Sequence, residues 1–150
     1  MKRRKFLLSL GLLPTLIQVA SCKRPYPKAA TTIKGRITDE LGQPVEGIRM
    51  IMMGIKPLGL SALKTFEAES YSDQNGGYIL SHVVTKETRM VEILYRHNQD
   101  LPFDEESYGL YMINRNGVEI QLSNAAGYPL DFNDYGKTTT FNLQFRKTIA

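Results

Sequence analysis

The sequence predicts an all-β fold, an antiparallel β-sandwich of seven to eight strands that follows a signal-peptide helix. After residue 30 no stretch keeps a helical hydrophobic period, and short apolar runs are separated by turn residues. The run 138–146 alternates strictly: Phe141, Leu143 and Phe145 face one way and the polar residues the other. These observations favour short strands that bury one face each.

The N-terminal segment 1–21 has the layout of a secretory signal peptide. Residues 2–5 are all basic, residues 6–19 are mostly apolar, and two small residues follow, the second being Ser21. The apolar run is shorter than the roughly 20 residues that a membrane-spanning helix needs. We therefore expect an export signal that is cleaved between Ser21 and Cys22.

Cys22 is the only cysteine of the chain, and it ends the stretch Val-Ala-Ser-Cys at 19–22. This stretch resembles the bacterial lipobox. The resemblance implies cleavage before Cys22, a diacylglycerol on its thiol, an acylated amino terminus and a membrane partner. The alternative is an ordinary signal followed by a free cysteine, which is a liability in an oxidising compartment.

The basic start leaves the export route open. Residues 3–7 (RRKFL) resemble the twin-arginine export motif in part, and a generic basic start for general secretion is the alternative. With either route, the lipobox resemblance implies a lipid-anchored protein of the cell envelope, at the outer membrane and facing the periplasm.

The net charge depends on whether the signal is present. The chain has 19 Lys and Arg against 15 Asp and Glu, and four of the bases but none of the acids lie in residues 1–21. Residues 22–150 therefore hold fifteen of each. Because nucleic-acid binding needs a concentrated basic face, we exclude a nucleic-acid partner.

The remainder divides into a lipidated N-terminus with a tether, 22–30, and one domain, 31–150. Two prolines and three bases make residues 23–30 extended and poorly foldable. Their bases would be attracted to an anionic membrane surface, or they simply keep a linker solvated.

The first part of the domain alternates between strands and turns. Alternation predicts a strand from Thr31, and acids with Gly and Pro predict a turn at 39–44. The apolar run 48–53 predicts a strand buried on both faces. We expect a long loop at 54–64 and a partly exposed strand at 65–72.

The second part continues this pattern. A tight turn at 73–77 leads into a strand at 78–84, and a further strand is expected at 90–95. The segments 110–113 and 118–122 flank an Asn-Gly turn, which predicts a hairpin. Two loops separate these elements from each other and from the last strand, an acidic one at 97–107 and another at 124–136.

Two stretches together resemble the carboxypeptidase-regulatory-like domains. The first has a G-x-V-type strand, a D-x-x-G-x-P turn and a glycine before an apolar strand; the second resembles T-D-x-x-G-x-Y. The residues that carry the two signatures are Gly35, Asp39, Gly42, Pro44, Gly47, Asp73, Gly76 and Tyr78. The resemblance covers about residues 31–95 and implies a transthyretin-like Greek-key sandwich.

The second signature has a structural explanation. Asp73 can accept backbone N–H bonds across its own turn, Gly76 or Gly77 can adopt positive φ, and Tyr78 then enters the core. A calcium site at Asp73 and Asn75 is the alternative, although Ca²⁺ needs six or more oxygens.

A narrower resemblance concerns residues 42–49, which are similar to a turn in small Bacteroidetes lipoproteins encoded beside a radical-SAM enzyme. That group has Tyr-Gly-x-Pro before the first strand, where this chain has only Tyr26 and Pro27. Radical-SAM maturases often build thioethers on cysteine. A lipidated Cys22 would be a poor substrate for that chemistry.

The sequence does not contain a recognisable catalytic motif. His82 and His97 show no metal-binding spacing, and we expect a half-buried His82 and an exposed His97. The acids of the 97–107 loop are expected to be solvated, namely Asp100, Asp104, Glu105 and Glu106. We therefore predict a protein that is not an enzyme and has no cofactor or metal; a hydrolase with an unrecognised site is the less favoured alternative.

The predicted role is binding or scaffolding of a protein or glycan partner through the loops 54–64 and 97–108. Leu58, Leu60 and Leu63 in the first loop either cap the core or bind a partner. A carbohydrate- or peptide-binding accessory module is a further alternative. It would need exposed aromatic rings, for which the candidates are Tyr108, Tyr111, Tyr128 and Tyr135.

Overall fold

The computed structural model describes residues 25–96, 107–113, 117–122 and 127–147, and 59% of them lie in β-strands. None lies in an α-helix, which confirms the all-β prediction for this part of the chain. Here no helix has the length and apolar character to cross a membrane. The ten strands are β1 Thr31–Thr38, β2 Arg49–Leu58, β3 Ser61–Tyr71, β4 Gly77–His82, β5 Met90–Arg96, β6 Tyr108–Ile113, β7 Glu119–Leu122, β8 Tyr128–Pro129, β9 Thr138–Thr140 and β10 Leu143–Lys147.

The strands form two sheets. One has the order β4-β1-β10-β6-β7, with β9 also paired to β1, and the other has the order β3-β2-β5-β8. The count exceeds the predicted seven to eight because the chain forms two very short strands, β8 and β9. The predicted hairpin is confirmed, since β6 and β7 pair antiparallel.

The prediction of a purely antiparallel sandwich is wrong at β1. This strand pairs antiparallel with β4 but parallel with both β9 and β10, with Ile37 opposite Leu143. The sheet is therefore mixed. Hydrophobic alternation shows which side of a strand faces the core, and it carries no information on the direction of the neighbouring strand.

The core lies between the two sheets. Met50 and Met52 of β2 face Ile33 of β1 and Phe145 of β10, and each side chain is at most 1% exposed. Ile51 points to the other side of β2 and is also buried, but Arg49 and Met53 on that side are half-buried, so the predicted burial of both faces at 48–53 is confirmed only in part. Full burial of such a side chain contributes about 1.5–3 kcal/mol.

The run 138–146 is two strands, not one. β9 ends at Thr140, and β10 begins at Leu143. Between them the Phe141 carbonyl crosses over β1 at Gly35, where a Cβ atom would lie 1.8 Å from the carbonyl oxygen. The predicted burial of Leu143 and Phe145 is nevertheless confirmed. Gly35 is therefore required by a close backbone approach.

The predicted loop at 54–64 is wrong. β2 continues to Leu58, β3 begins at Ser61, and a two-residue turn joins them, so the segment is the outer half of a long hairpin. Pro57 obscured this in the sequence because a proline argues against a central strand. Beyond Ile55, however, β2 pairs only with β3, so Pro57 lies where β2 has an unpaired edge.

Candidate functional site

Most of the residues that carry the predicted resemblance lie in two turns at one end of the sandwich. Pro44 bridges to Thr38, and the Gly47 N–H donates to the Ser72 carbonyl at 2.9 Å. Tyr78 is buried, as predicted, and its hydroxyl donates to the Phe141 carbonyl at 2.8 Å. These residues therefore have structural contacts that account for their presence.

The two aspartates of the signatures make the same turn twice. Asp39 Oδ1 accepts N–H bonds from Leu41 and Gln43, at 2.9 and 2.8 Å. Asp73 Oδ1 accepts from Asn75 and Gly77, both at 2.8 Å. The predicted role of Asp73 is confirmed. In the described residues no group of three or more His, Cys, Asp or Glu side chains could hold a metal ion.

The positive φ predicted for this second turn belongs to Gly76, at +75°, and the corresponding residue of the first turn is Gly42, at +78°. Both glycines lie three residues after the aspartate. In each turn the glycine N–H also donates to the aspartate carbonyl, at 3.1 Å for Gly42 and 2.8 Å for Gly76.

A candidate binding site lies at the opposite end of the sandwich. It is an open cleft of about 890 Å³. The strand register identifies the two ends of the sandwich. Thr31, the first residue of β1, pairs with His82 at the cleft end, whereas the Asp39 turn follows the last residue of β1. The residues that line the cleft are Pro25, Tyr26, Lys56, Lys86, Glu87, Arg89 and Phe132.

Tyr26 forms one wall of the cleft and attaches the predicted tether to the domain. Its hydroxyl donates to the Thr88 carbonyl at 2.5 Å, and its ring packs edge-on against Phe132 with centroids 5.4 Å apart. The Tyr135 ring lies 6.5 Å from the Tyr26 ring, on the same side as Phe132. The expectation of an extended, unfolded tether at 23–30 is therefore wrong from Tyr26 onward. The sequence signal for this contact is an aromatic ring between two prolines, Pro25 and Pro27.

The segment 85–89 forms the opposite wall and is held by hydrogen bonds. Thr88 is fully buried, its N–H donates to the Thr85 carbonyl, and its hydroxyl lies 2.7 Å from that of Thr65. The Arg89 N–H donates to the Ile55 carbonyl at 2.8 Å. Thr65 is the extra residue of a β-bulge in β3, which directs its side chain towards this segment.

The third wall is a short 3₁₀ helix, Phe132–Asp134. Asp131 caps its N-terminus by accepting the N–H of Asn133 at 2.7 Å. Tyr135 follows it, packs against Phe132 at 4.9 Å, and is buried. Burial raises the pKa of the Tyr135 hydroxyl above its ordinary value. Tyr135 thus supports Phe132 from behind the lining of the cleft.

The polar lining of the cleft is mainly cationic. Lys56, Lys86 and Arg89 face one carboxylate, that of Glu87. Lys86, Glu87 and Arg89 are exposed, and Lys56 is half-buried. Such a surface can attract an anionic group by Coulombic interaction. Sequence reasoning missed it because the three cations are spread over 33 positions and only the fold brings them together.

His82 does not contribute to the cleft. It is half-buried, as predicted, and its ring stacks on Phe66 with centroids 4.0 Å apart. His97 and the acids Asp100, Asp104, Glu105 and Glu106 lie outside the described residues, as do Ser21 and Cys22.

The four tyrosines considered as a glycan platform are packed against neighbours. Tyr135 is buried, and the other three are half-buried. Tyr108 stacks on Phe145 at 5.8 Å, Tyr128 packs against Phe141 in a T-shaped pair at 6.0 Å, and the Arg146 guanidinium lies over the Tyr111 ring at 4.9 Å. The structure does not place the four rings together on an exposed surface.

The three leucines of the 54–64 segment do not cap the core. Leu58 and Leu63 are about half exposed, at 49% and 51%, and Leu60 in the turn is fully exposed. They lie at the same end of the sandwich as the cleft, since Lys56 precedes Leu58 on β2.

Comparison with known proteins does not identify relatives. No protein-family model matches the chain, and no curated protein matches it.

Proposed function

We propose that the protein is a lipid-anchored β-sandwich of the cell envelope that acts as a binding or scaffold module and not as an enzyme. One observation carries the proposal. The lipobox-like sequence ends at Cys22, and Tyr26, four residues later, packs onto the domain. A lipid on Cys22 would therefore attach the domain to a membrane through a short connection.

Binding or scaffolding is favoured by the chemistry of the cleft. Among the described residues its lining combines cations and aromatic rings with one carboxylate, Glu87, and includes no histidine, serine or cysteine. Nucleophilic or acid–base catalysis generally needs a nucleophile or base within hydrogen-bond reach of a partner group. A carbohydrate-binding module has less support, because its four tyrosines are packed against neighbouring side chains.

We assign the domain to the carboxypeptidase-regulatory-like, transthyretin-like sandwiches as part of this proposal. The support is that both signature turns form as their sequences predict, with Asp39 and Asp73 in equivalent roles. The chain also changes sheets between β1 and β2, between β3 and β4 and between β4 and β5, as expected of a Greek-key arrangement.

We also propose membership of the radical-SAM-associated lipoprotein group on the basis of residues 42–49, although this chain has only Tyr26 and Pro27 where that group has Tyr-Gly-x-Pro. In this proposal the domain faces the periplasm from the outer membrane, and its partner is a protein or glycan of the envelope. Cys22 would carry lipid and would not be a substrate for a maturase.

The anchor is tested by the mass of the mature N-terminus in the native host. We expect the wild-type chain to begin at Cys22 with a diacylglycerol on the thiol and a further acyl group on the amino terminus. Cys22→Ala should lose both the lipid mass and membrane retention. Ser21→Ala, which keeps a small residue before the cysteine, is the matched control and should still be lipidated. A soluble wild-type protein without lipid would refute the proposal.

A further inference from the structure

The outer half of the β2–β3 hairpin extends beyond the rest of its sheet. Ile55 is the last residue of β2 that pairs with β5, opposite Met90. Lys56, Pro57 and Leu58 pair only with β3, and the turn follows. At about 3.3 Å per residue, the tip projects roughly 13 Å past the last three-stranded rung.

The face of this projection carries exposed leucines where the sandwich no longer covers it. Alternation along β2 places Leu58 on the same side as Met50 and Met52, which face the core. Leu63 is opposite Lys56 and so lies on that side as well. With Leu60 at the turn, three exposed leucines therefore meet at the end of one hairpin.

Cations lie at the same end of the sandwich as these leucines. Lys56 lies two residues before Leu58 on the same side of β2, and it lines the cleft together with Lys86 and Arg89. Exposed apolar side chains next to basic residues are the combination that binds the interface of an anionic bilayer. A purely apolar protein partner would not account for the cations at this end.

The position of Cys22 brings a bilayer to this end of the domain. Tyr26 lines the same cleft as Lys56. Four residues of extended chain span at most about 14 Å, so a lipid on Cys22 enters the membrane within that distance of Tyr26. The projection of the hairpin is of the same size. The leucines can therefore reach the bilayer that holds the anchor.

The exposed leucine at the opposite end of the sandwich has acidic neighbours. There Leu41 is also exposed, at 83%, and it lies in the turn with Asp39 and Glu40. Arg36 and Lys147 are also at that end. The exposed leucines of the two ends thus differ in the charged residues next to them in the chain.

We propose that the cleft end lies flat against the membrane, with Leu58, Leu60 and Leu63 inserted into the bilayer interface and Lys56, Lys86 and Arg89 on anionic headgroups. The proposal rests on the proposed lipid anchor. The opposite end, with its two aspartate turns, then points away from the membrane and is free for a partner.

A single tryptophan can report the contact, because the chain contains none. Leu60→Trp is the probe and Leu41→Trp the matched control, since both leucines are exposed turn residues. The full-length variants are purified in lipidated form, checked by mass, and reconstituted into vesicles of phosphatidylcholine and phosphatidylglycerol with or without bromine in the acyl chains. Brominated lipid should reduce the emission of Leu60→Trp about twofold and leave that of Leu41→Trp unchanged.

The outcomes separate the orientation from the anchor. If the lipid mass is present and Leu60→Trp is not quenched, or both variants are quenched equally, the orientation is overturned while the anchor stands. If the mass shows no lipid, the anchor fails; quenching of Leu60→Trp when the full chain is added to the same vesicles would still support a membrane-binding tip, and its absence would refute it. Vesicles of phosphatidylcholine alone should weaken the quenching, and unchanged quenching there would contradict the role of the cations.

Discussion

The two aspartate turns have the same internal hydrogen bonds but different surroundings. In each, the aspartate Oδ1 accepts two N–H bonds and a glycine three residues later has φ near +75°. Gly42 of the first turn is exposed, and a Cβ atom there would have nothing within 4 Å. Gly76 of the second turn is buried, and a Cβ atom there would lie 2.2 Å from the Ile37 carbonyl oxygen.

A short motif therefore determines the local geometry of a turn, whereas tertiary contacts determine how much the turn contributes to the free energy of unfolding. The Asp73 turn is attached to β1 by two bonds: the Ile37 N–H donates to the Gly76 carbonyl at 2.8 Å, and Arg36 Nε donates to the Asn75 carbonyl at 2.8 Å. The Asp39 turn is attached to β10, since Gln144 donates to the Asp39 carbonyl at 3.1 Å and the Lys147 N–H donates to the Glu40 carboxylate at 2.6 Å. The two turns therefore differ in burial, and because Gly76 is buried and Gly42 is exposed, we expect the second turn to matter more for stability.

The largest difference is expected between alanine substitutions of the two glycines. Gly42→Ala should cost about 1–2 kcal/mol, which is the strain of a left-handed backbone for a residue with a Cβ. Gly76→Ala adds a clash with β1 that neither backbone can relieve easily, and should cost about 3 kcal/mol or more. Urea denaturation of the two variants beside the wild type measures both values.

A buried Gly76→Ala variant that fails to fold would agree with this order, and Gly42→Ala then provides the quantitative value. Equal losses of unfolding free energy in the two folded variants would contradict the claim that contact with β1 determines how much the turn contributes to stability.

Alanine substitutions of the two aspartates should differ less in unfolding free energy than those of the glycines, and the second turn should again lose more. Asp73→Ala removes the acceptor of the Asn75 and Gly77 N–H groups, and Gly77 is half-buried where it begins β4 opposite Arg36. We expect a loss of about 2 kcal/mol. Asp39→Ala leaves the N–H groups of Leu41 and Gln43 open to water and should cost about 1 kcal/mol.

Asparagine separates the hydrogen bonds from the charge. Asp73→Asn keeps an Oδ1 acceptor and should recover most of the stability that Asp73→Ala loses, as measured by the same denaturation experiment. If Asp73→Asn were as unstable as Asp73→Ala, the turn would depend on the carboxylate charge and not on its two accepted N–H bonds.

These turns are also the part of the structure that sequence predicts best. An aspartate followed three positions later by glycine predicts its own hydrogen bonds, since donors and acceptor lie within five residues. The burial of Ile51, Leu143 and Phe145 was predictable for a similar reason, because alternation and apolar runs are local. Gly35 was recognised from the signature, but its cause, the Phe141 carbonyl, is 106 positions away.

The cleft end could not be predicted in this way. Lys56 and Arg89 meet there because Ile55 pairs with Met90, a register that no local pattern specifies. The prolines on both sides of Tyr26 predict an unfolded tether. In the folded domain, however, its ring packs against Phe132. The parallel pairing of β1 with β10 is a long-range property of the same kind.

The smallest effect expected concerns Tyr78, which leads from the Asp73 turn into the core. Tyr78→Phe removes the hydrogen bond to the Phe141 carbonyl and should cost about 1 kcal/mol at pH 7. Burial raises the pKa of the Tyr78 hydroxyl well above its ordinary value. The folded state therefore retains the proton above pH 10, whereas an unfolded tyrosine ionises near that pH. The stability from the neutral hydroxyl is complete below about pH 10 and falls at higher pH.

The phenylalanine variant lacks this titration, so its unfolding free energy should fall less steeply above about pH 10, by about 1.4 kcal/mol per pH unit. The deficit at pH 7 should accordingly shrink by pH 11, as measured by urea denaturation at both pH values. Tyr71→Phe, at a ring that is 53% exposed, is the control and should differ little from the wild type at either pH. A Tyr78→Phe deficit that stays constant from pH 7 to pH 11 would mean that the hydroxyl ionises in the folded state as readily as in the unfolded chain. The Tyr78 hydroxyl would then be hydrated in the folded state. The greater contribution of the Asp73 turn to stability would come from the contacts of Gly76 alone.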